Sequence, residues 1–121
     1  MSAYTVLNDQ SLSDAVGRGL VSIVGGYYEA TLSGNLVLTA EYPNVLKLDA
    51  GGGARDVTLL AEASADGVFM RIINASDAAE NLVVKDDGGA TIGTINQNEQ
   101  GEFYCDGTAW RLLCMTTIAL T

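Results

Sequence analysis

A chain of 121 residues is one domain, or one domain plus an arm, and can bury a modest core without disulfide staples. Apolar residues make up 48% of it, Gly occurs 14 times and Pro only at Pro43, which is too apolar for disorder and too broken by Gly for a helical bundle. The 15 acidic against 6 basic residues, a formal charge of -9, repel phosphate backbones and anionic lipid and so argue against nucleic acid or a membrane as partner.

No apolar run reaches the roughly 18 residues of a spanning helix. The N-terminus, MSAYTVLNDQ, lacks the basic and apolar regions of a signal peptide, so synthesis in a cytoplasm is expected, with export only as part of a particle. The chain has no histidine, which removes the commonest general base and metal ligand and every Ser-His or Cys-His nucleophile pair.

Residues 1–34 differ in texture from the rest. Ser11 and Asp14 can open a short helix in the manner of a capping box, but Gly17 and Gly19 each weaken it by about 1 kcal/mol relative to Ala. Leu20 to Val24 is apolar and β-branched, and Gly25-Gly26 then precedes Tyr27-Tyr28. Two readings stay open: an arm laid along another surface, or an ordinary first strand with a bulge. On the first, the candidate partner contacts are Tyr4, Leu20, Val24, Tyr27 and Tyr28, because aromatic and apolar anchors dominate protein interfaces.

Residues 35–121 read as strand after strand. Asn35 to Tyr42 alternates, with Leu36 and Leu38 on one face, and Tyr42-Pro43-Asn44 is a turn. Val45 to Leu48 is a second run, closed by Asp49 and the glycines Gly51 to Gly53, and Val57, Leu59 and Ala61 alternate in a third. The nearly continuous apolar run within Gly67 to Asn74 is expected in the middle of a sheet, buried on both faces. A loop at Asn74 to Glu80 leads to two hairpins.

In the first hairpin, Ile92 falls beside Val84 only if Asp87-Gly88-Gly89 is a three-residue turn with a glycine in the left-handed region. In the second, a two-residue Asp106-Gly107 turn sets Phe103 opposite Trp110 and Glu102 opposite Arg111. That register gathers Phe103, Cys105, Trp110, Leu112 and Cys114 on one face and sets Cys114 against Glu99, so the two cysteines are read as reduced apolar filling. Strands at this spacing predict an all-β fold: a small antiparallel sandwich or barrel-like domain over 35–121, with an extended, partly irregular arm or first strand over 1–34.

Candidate chemistry thins out on inspection. Asp86 and Asp87 are adjacent on a strand and point apart, unlike the converging carboxylates of a glycosidase, and the spaced ligands of a calcium loop are missing. Gly51 to Gly53 lacks the Lys-Ser or Lys-Thr of a phosphate loop and reads as a strand connection. Asn74-Ala75-Ser76 is a chance match to a glycosylation acceptor. No catalytic residue, cofactor or metal is expected.

The pieces YPNVLKLDAGGGARDVTLLAE, GVFMRIINASDAAENLVVKDDGGATI and NQNEQGEFYCDGTAWRLL, in that order over Tyr42 to Leu113, resemble tailed-phage head decoration (cement) proteins. The most specific elements are Lys47-Leu48-Asp49 with the glycines after it, Asn74 to Leu82, and Cys105-Asp106-Gly107 with Trp110. All are turn and core elements, so the resemblance speaks for fold before function. It implies a homotrimer on the outer surface of a virion capsid, clamping neighbouring major capsid protein subunits. The alternative is a carbohydrate- or receptor-binding module of a tail fibre or baseplate. A polysaccharide-cleaving enzyme acting through Asp86 or Asp87 ranks third.

Overall fold

The computed structural model describes residues 26–120, and these are almost entirely strand and turn. In chain order the strands are β1 (Tyr27–Thr31), β2 (Leu36–Val37), β3 (Val45–Asp49), β4 (Arg55–Thr58), β5 (Phe69–Asn74), β6 (Leu82–Lys85), β7 (Thr91–Ile95), β8 (Glu99–Cys105) and β9 (Trp110–Thr117). One 3₁₀ turn, Glu62–Ser64, lies between β4 and β5. The fold is all-β, as the sequence predicts.

Its topology differs from the expected antiparallel one. One sheet has the order β1-β3-β5-β8-β9 and the other β2-β4-β6-β7, so the first six strands alternate between sheets. Each lies parallel to the strand two before it: β1 with β3 and β3 with β5, β2 with β4 and β4 with β6. The chain thus winds like a short parallel β-helix, one strand per sheet per turn. Only the last third is antiparallel, where β8 pairs with β5, β7 with β6 and β9 with β8. Among the described residues neither sheet closes on itself into a barrel. In the sequence, a Gly-bearing connection that leads into the other sheet looks the same as one that folds a hairpin.

In-register stacking aligns the apolar residues of successive windings. Tyr28, Leu46, Ile72, Gly101 and Met115 form one continuous row across the first sheet. Leu36, Val57, Val84 and Gly93 form the corresponding row across the second. One buried cluster draws on both sheets, with Leu46, Leu48, Ile72 and Phe103 from the first and Val57, Leu82, Val84 and Ile95 from the second. At about 25 cal/mol per Å² of apolar surface removed from water, that shared cluster is the main stabilising term. The Phe103 ring fits between two glycines, one per sheet: a methyl on Gly101 would stand 2.9 Å from Phe103 Cε1 and Cζ, and one on Gly93 3.5 Å from Cε2.

The central position of Phe69–Asn74 is as expected, with β3 on one side and β8 on the other. Burial on both faces is not, since Met70, Ile72 and Asn74 are buried while Phe69 and Arg71 face outward. Tyr27 to Thr31, within the segment read as arm or first strand, is the edge strand β1. Of the alternating run Asn35 to Tyr42 only Leu36–Val37 is strand, although Leu38 continues the pattern by donating to Thr58 O at 2.9 Å.

The corner after β3 depends on a glycine. Gly51 has φ +76°, and a Cβ there would lie 2.0 Å from Leu32 O, because the preceding winding crosses directly above. Arg55 closes the same corner, its Nε donating to Ala50 O at 2.7 Å. The glycine run is therefore a strand connection, as read. One winding on, Asn74 is fully buried and makes three bonds: Nδ2 donates to Glu80 O and Ile95 O at 2.8 and 2.9 Å, and Oδ1 accepts from Ser76 N at 3.0 Å. A side chain so enclosed cannot carry a glycan.

The first hairpin has the expected three-residue turn. Asp86 N donates to Ala90 O at 2.9 Å, enclosing Asp87, Gly88 and Gly89, and Gly89 takes φ +93°. A bulge follows it, so Val84 pairs with Gly93 rather than Ile92, and Leu82 with the buried Ile95. The second hairpin is displaced by two residues from the expected register, with Cys105 opposite Trp110, Phe103 opposite Leu112 and Tyr104 opposite Arg111. The cause is Asp106: its Oδ1 accepts from Thr108 N and Ala109 N at 2.9 and 2.8 Å, which moves the turn to Gly107-Thr108. A second bulge leaves Cys114 opposite Glu102 instead of Glu99. Both cysteines are free, Cys105 buried and Cys114 partly so. Trp110 is buried as expected and donates its indole N–H to Leu60 O at 2.8 Å.

Two predictions follow from this packing. Gly101→Ala pushes a methyl into the Phe103 ring and should cost about 1–3 kcal/mol, the usual range for overpacking, read as a lower urea midpoint with unchanged slope. The Ala109 and Thr108 N–H groups, with the Arg111 guanidinium, hold the Asp106 carboxyl below the 3.8 of an ordinary aspartate. A lowered native value means that the ionised carboxylate is favoured by folding, so its contribution is complete above that ordinary value and is lost as pH falls through the native one. Asp106→Ala should therefore lower the thermal midpoint at neutral pH, and the gap from the parent should close in strong acid.

Candidate partner-binding surface

Because side chains alternate across a strand, the outward face of the five-stranded sheet is set by the same register that builds the core. One row holds Phe69, Tyr104 and Arg111, the next Tyr27, Val45, Arg71, Glu102 and Cys114, and a third Glu29, Lys47, Ile73, Gln100 and Thr116. Its charges neutralise one another: Arg71 Nη2 lies 2.9 Å from Glu102 Oε2, Arg111 Nε 3.2 Å from Asp106 Oδ2, and Lys47 Nζ 3.8 Å from Glu29 Oε2. On the other sheet Lys85 Nζ meets Asp56 Oδ2 at 3.1 Å. Pairs this exposed contribute about 0–1 kcal/mol each. Their larger effect is to engage the cations and leave the remaining carboxylates to set the surface potential.

Of the sequence-predicted contacts, Tyr4, Leu20 and Val24 lie outside the described residues. Tyr27 and Tyr28 fall on opposite faces of β1. Tyr27 is exposed, and its hydroxyl donates to Glu29 Oε1 at 3.1 Å. Local desolvation first, and the Glu29 carboxylate second, push that phenol above its usual range. Tyr28 turns inward and packs edge-to-face on Tyr42, with centroids 5.2 Å apart and planes at 90°. It packs against the core, whereas Tyr27 is available to a partner.

The structure exposes further apolar surface. Val37, Phe69, Tyr104, Leu112 and Leu113 are exposed, and Phe69 with Tyr104 forms a cross-strand pair. That pair could not be foreseen, because β5 and β8 are adjacent only after the chain leaves the winding and turns back. A groove of about 820 Å³ also opens along the outer face, with Glu29, Lys47, Asp49, Ser76 and Asn98 in its walls and Ile118–Leu120 along one rim. Its lining is mixed, with polar and charged side chains beside Ala30, Ala75 and the Ile118–Leu120 rim, and holds no aromatic ring among the described residues.

Acidic groups cluster in a place the sequence did not indicate. Carboxylate oxygens of Asp49, Asp77 and Glu80 lie within 4.8 Å of one another, an oxygen-rich set of the kind that hard cations take. Parallel pairing of Leu48 with Asn74 explains the convergence, since it brings the end of β3 against the loop after β5. Asp49 Oδ1 also accepts from Gly51 N at 2.9 Å, which ties it to the corner. Asp86 and Asp87 lie beyond β6, in the turn and not on a strand as expected: Asp86 Oδ1 accepts from Gly88 N and Ala90 N at 3.0 and 2.8 Å, locking the turn, while Asp87 is exposed at its tip. Among the described residues, no helix is long and apolar enough to cross a membrane.

No protein-family model matches this sequence, and no curated protein matches it either.

Proposed function

We propose that this protein is a non-enzymatic structural component of a phage virion, binding the outside of the expanded head as a trimer and bracing contacts between major capsid subunits. The observation that carries the reading is a rigid, in-register β module with large apolar side chains, Tyr27, Val37, Phe69, Tyr104, Leu112 and Leu113, standing exposed on its surface. Exposed apolar surface of this kind serves protein contact. The motifs behind the resemblance to cement proteins fit the same view. Lys47-Leu48-Asp49 leads into the Gly51 corner, Asn74 is the buried three-bond lock, and Cys105-Asp106-Gly107 with Trp110 forms the second hairpin. Two sheets sharing one apolar cluster stack as a compact sandwich-like module, suited to bearing load between subunits.

The mechanism is linkage. A ligand that binds only the expanded shell stabilises it by RT ln(1 + [L]/Kd), about 2.7 kcal/mol at a hundredfold excess over Kd. A trimer engages several subunits together, so modest single contacts combine into tight binding. Localisation to the capsid surface and synthesis in the host cytoplasm belong to the same proposal.

The groove beside Lys47 and Asn98, with its mixed polar and apolar lining, favours a second reading, a carbohydrate- or receptor-binding module of a tail fibre or baseplate. Sugar recognition usually adds an aromatic wall for stacking, and this groove has none among the described residues that line it, so it ranks second.

Stripping the protein from purified particles should lower the temperature at which heads release their genome, and adding it back should restore that temperature. Unchanged heat resistance, together with no binding to empty expanded capsids, would overturn the proposal, and specific hits on a glycan array would favour the second reading.

A further inference from the structure

The edges of the two sheets are not alike. Among the described residues, β1 and β9 border the five-stranded sheet and β2 and β7 border the other. At one side, β1 carries Glu29 on its exposed face and β2 is only two residues long, and charge and brevity are the usual means of keeping a sheet edge from pairing with another chain. At the other side, β7 (TIGTI) and β9 (WRLLCMTT) hold one charge between them, Arg111.

Those two edges form a single flank. A methyl on Gly93 of β7 would stand 3.3 Å from Met115 Cε and 3.5 Å from Leu112 Cδ2 of β9, so the strands lie side by side across the gap between the sheets. Leu113 is 53% exposed and Leu112 41%. Neither 88–98 nor 107–121 contains an Asp or Glu, although the chain has 15. Of the carboxylates bordering these stretches, Glu102 pairs with Arg71, Asp106 with Arg111, Glu99 accepts from Asn96 N and Asp86 is tied into its turn, which leaves Asp87 exposed at the hairpin tip.

We propose that copies of this chain bind one another through the β7–β9 flank. Each copy carries -9, so close approach is opposed wherever carboxylates face carboxylates within a Debye length, about 8 Å at physiological salt. Self-contact is least opposed where a strip is apolar and free of acid, and this flank combines that with two strand edges that have no neighbouring strand among the described residues. The proposal rests on the trimer reading above for copy number only; the location of the contact is independent of it.

The test uses the full chain without capsids. Light scattering coupled to size exclusion should give a multiple of the single-chain mass. Leu113→Glu on β9 and Thr94→Glu on β7, both at exposed positions, should each reduce it to one chain while leaving the far-UV spectrum and melting transition intact. Val37→Glu, which puts the same charge on an exposed apolar position of β2, should leave the assembly whole. A parent chain that is monomeric at tens of micromolar, variants on the flank that stay assembled, or a Val37→Glu chain that falls apart equally would overturn the flank. If Leu113→Glu fails to fold, Thr94→Glu decides. A dimer dissolved by both flank variants would support the flank and sink the three-fold reading, whereas an assembled protein that ignores expanded capsids would sink the decoration reading and leave the flank standing.

Discussion

The structure depends on one geometric constraint: each winding must place its apolar side chains directly over those of the winding before. With Leu46 paired to Ile72, and Val57 to Val84, the inward side chains of neighbouring strands stack in line and the cluster between the sheets is continuous. A slip of one residue in the β3–β5 pairing would turn Leu46 and Leu48 outward and Lys47 inward. The penalty for burying Lys47 in the core is what fixes the register. The connections are free to vary in length as long as they return the chain in phase, which is why the sequence contains no fixed repeat.

Corners and ends are where this constraint is enforced, and polar side chains do most of it. Asn74 bonds backbone groups from two separate stretches, and Ser76 Oγ accepts from Ala50 N at 2.8 Å across the windings. Asp86 and Asp106 each hold two N–H groups of a hairpin turn. These residues are the ones a search for chemistry selects first, as a glycosylation acceptor, a carboxylate pair or a calcium loop. Their hydrogen bonds are already committed to the backbone, and a group engaged in that way is poorly placed to bind or activate a substrate.

Local features were legible in the sequence and long-range pairing was not. Strand locations, the outward Val37 beside the inward Leu38, the three-residue turn at Gly89 and the burial of Trp110 all follow from period-two patterning and turn chemistry. The parallel winding did not follow, because the signal for a strand is the same whichever neighbour it finds. The second hairpin shows a finer limit. Asp106-Gly107 looks like the turn itself, yet the aspartate caps from one position before it and Gly107 supplies the positive φ at +88°. Three-dimensional convergence was the least legible: Asp49, Asp77 and Glu80, and likewise Phe69 and Tyr104, meet only because strands distant in the chain are neighbours in a sheet.

The antiparallel hairpins at the end of the winding decide which strands border the two sheets there. A parallel winding continues for as long as the chain supplies another turn, and its last strands would present two bare edges in the same direction. Here the chain turns back through β7, β8 and β9, so the second sheet ends on β7 and the first on β9. That end replaces the charged, turn-rich outline of the winding with a neutral one. On the self-contact proposed above, an acidic protein closed in this way meets repulsion from another copy on most sides and approaches it along one. In a crowded assembly this restriction of direction matters as much as affinity, because it limits which contacts form before the tight ones are reached.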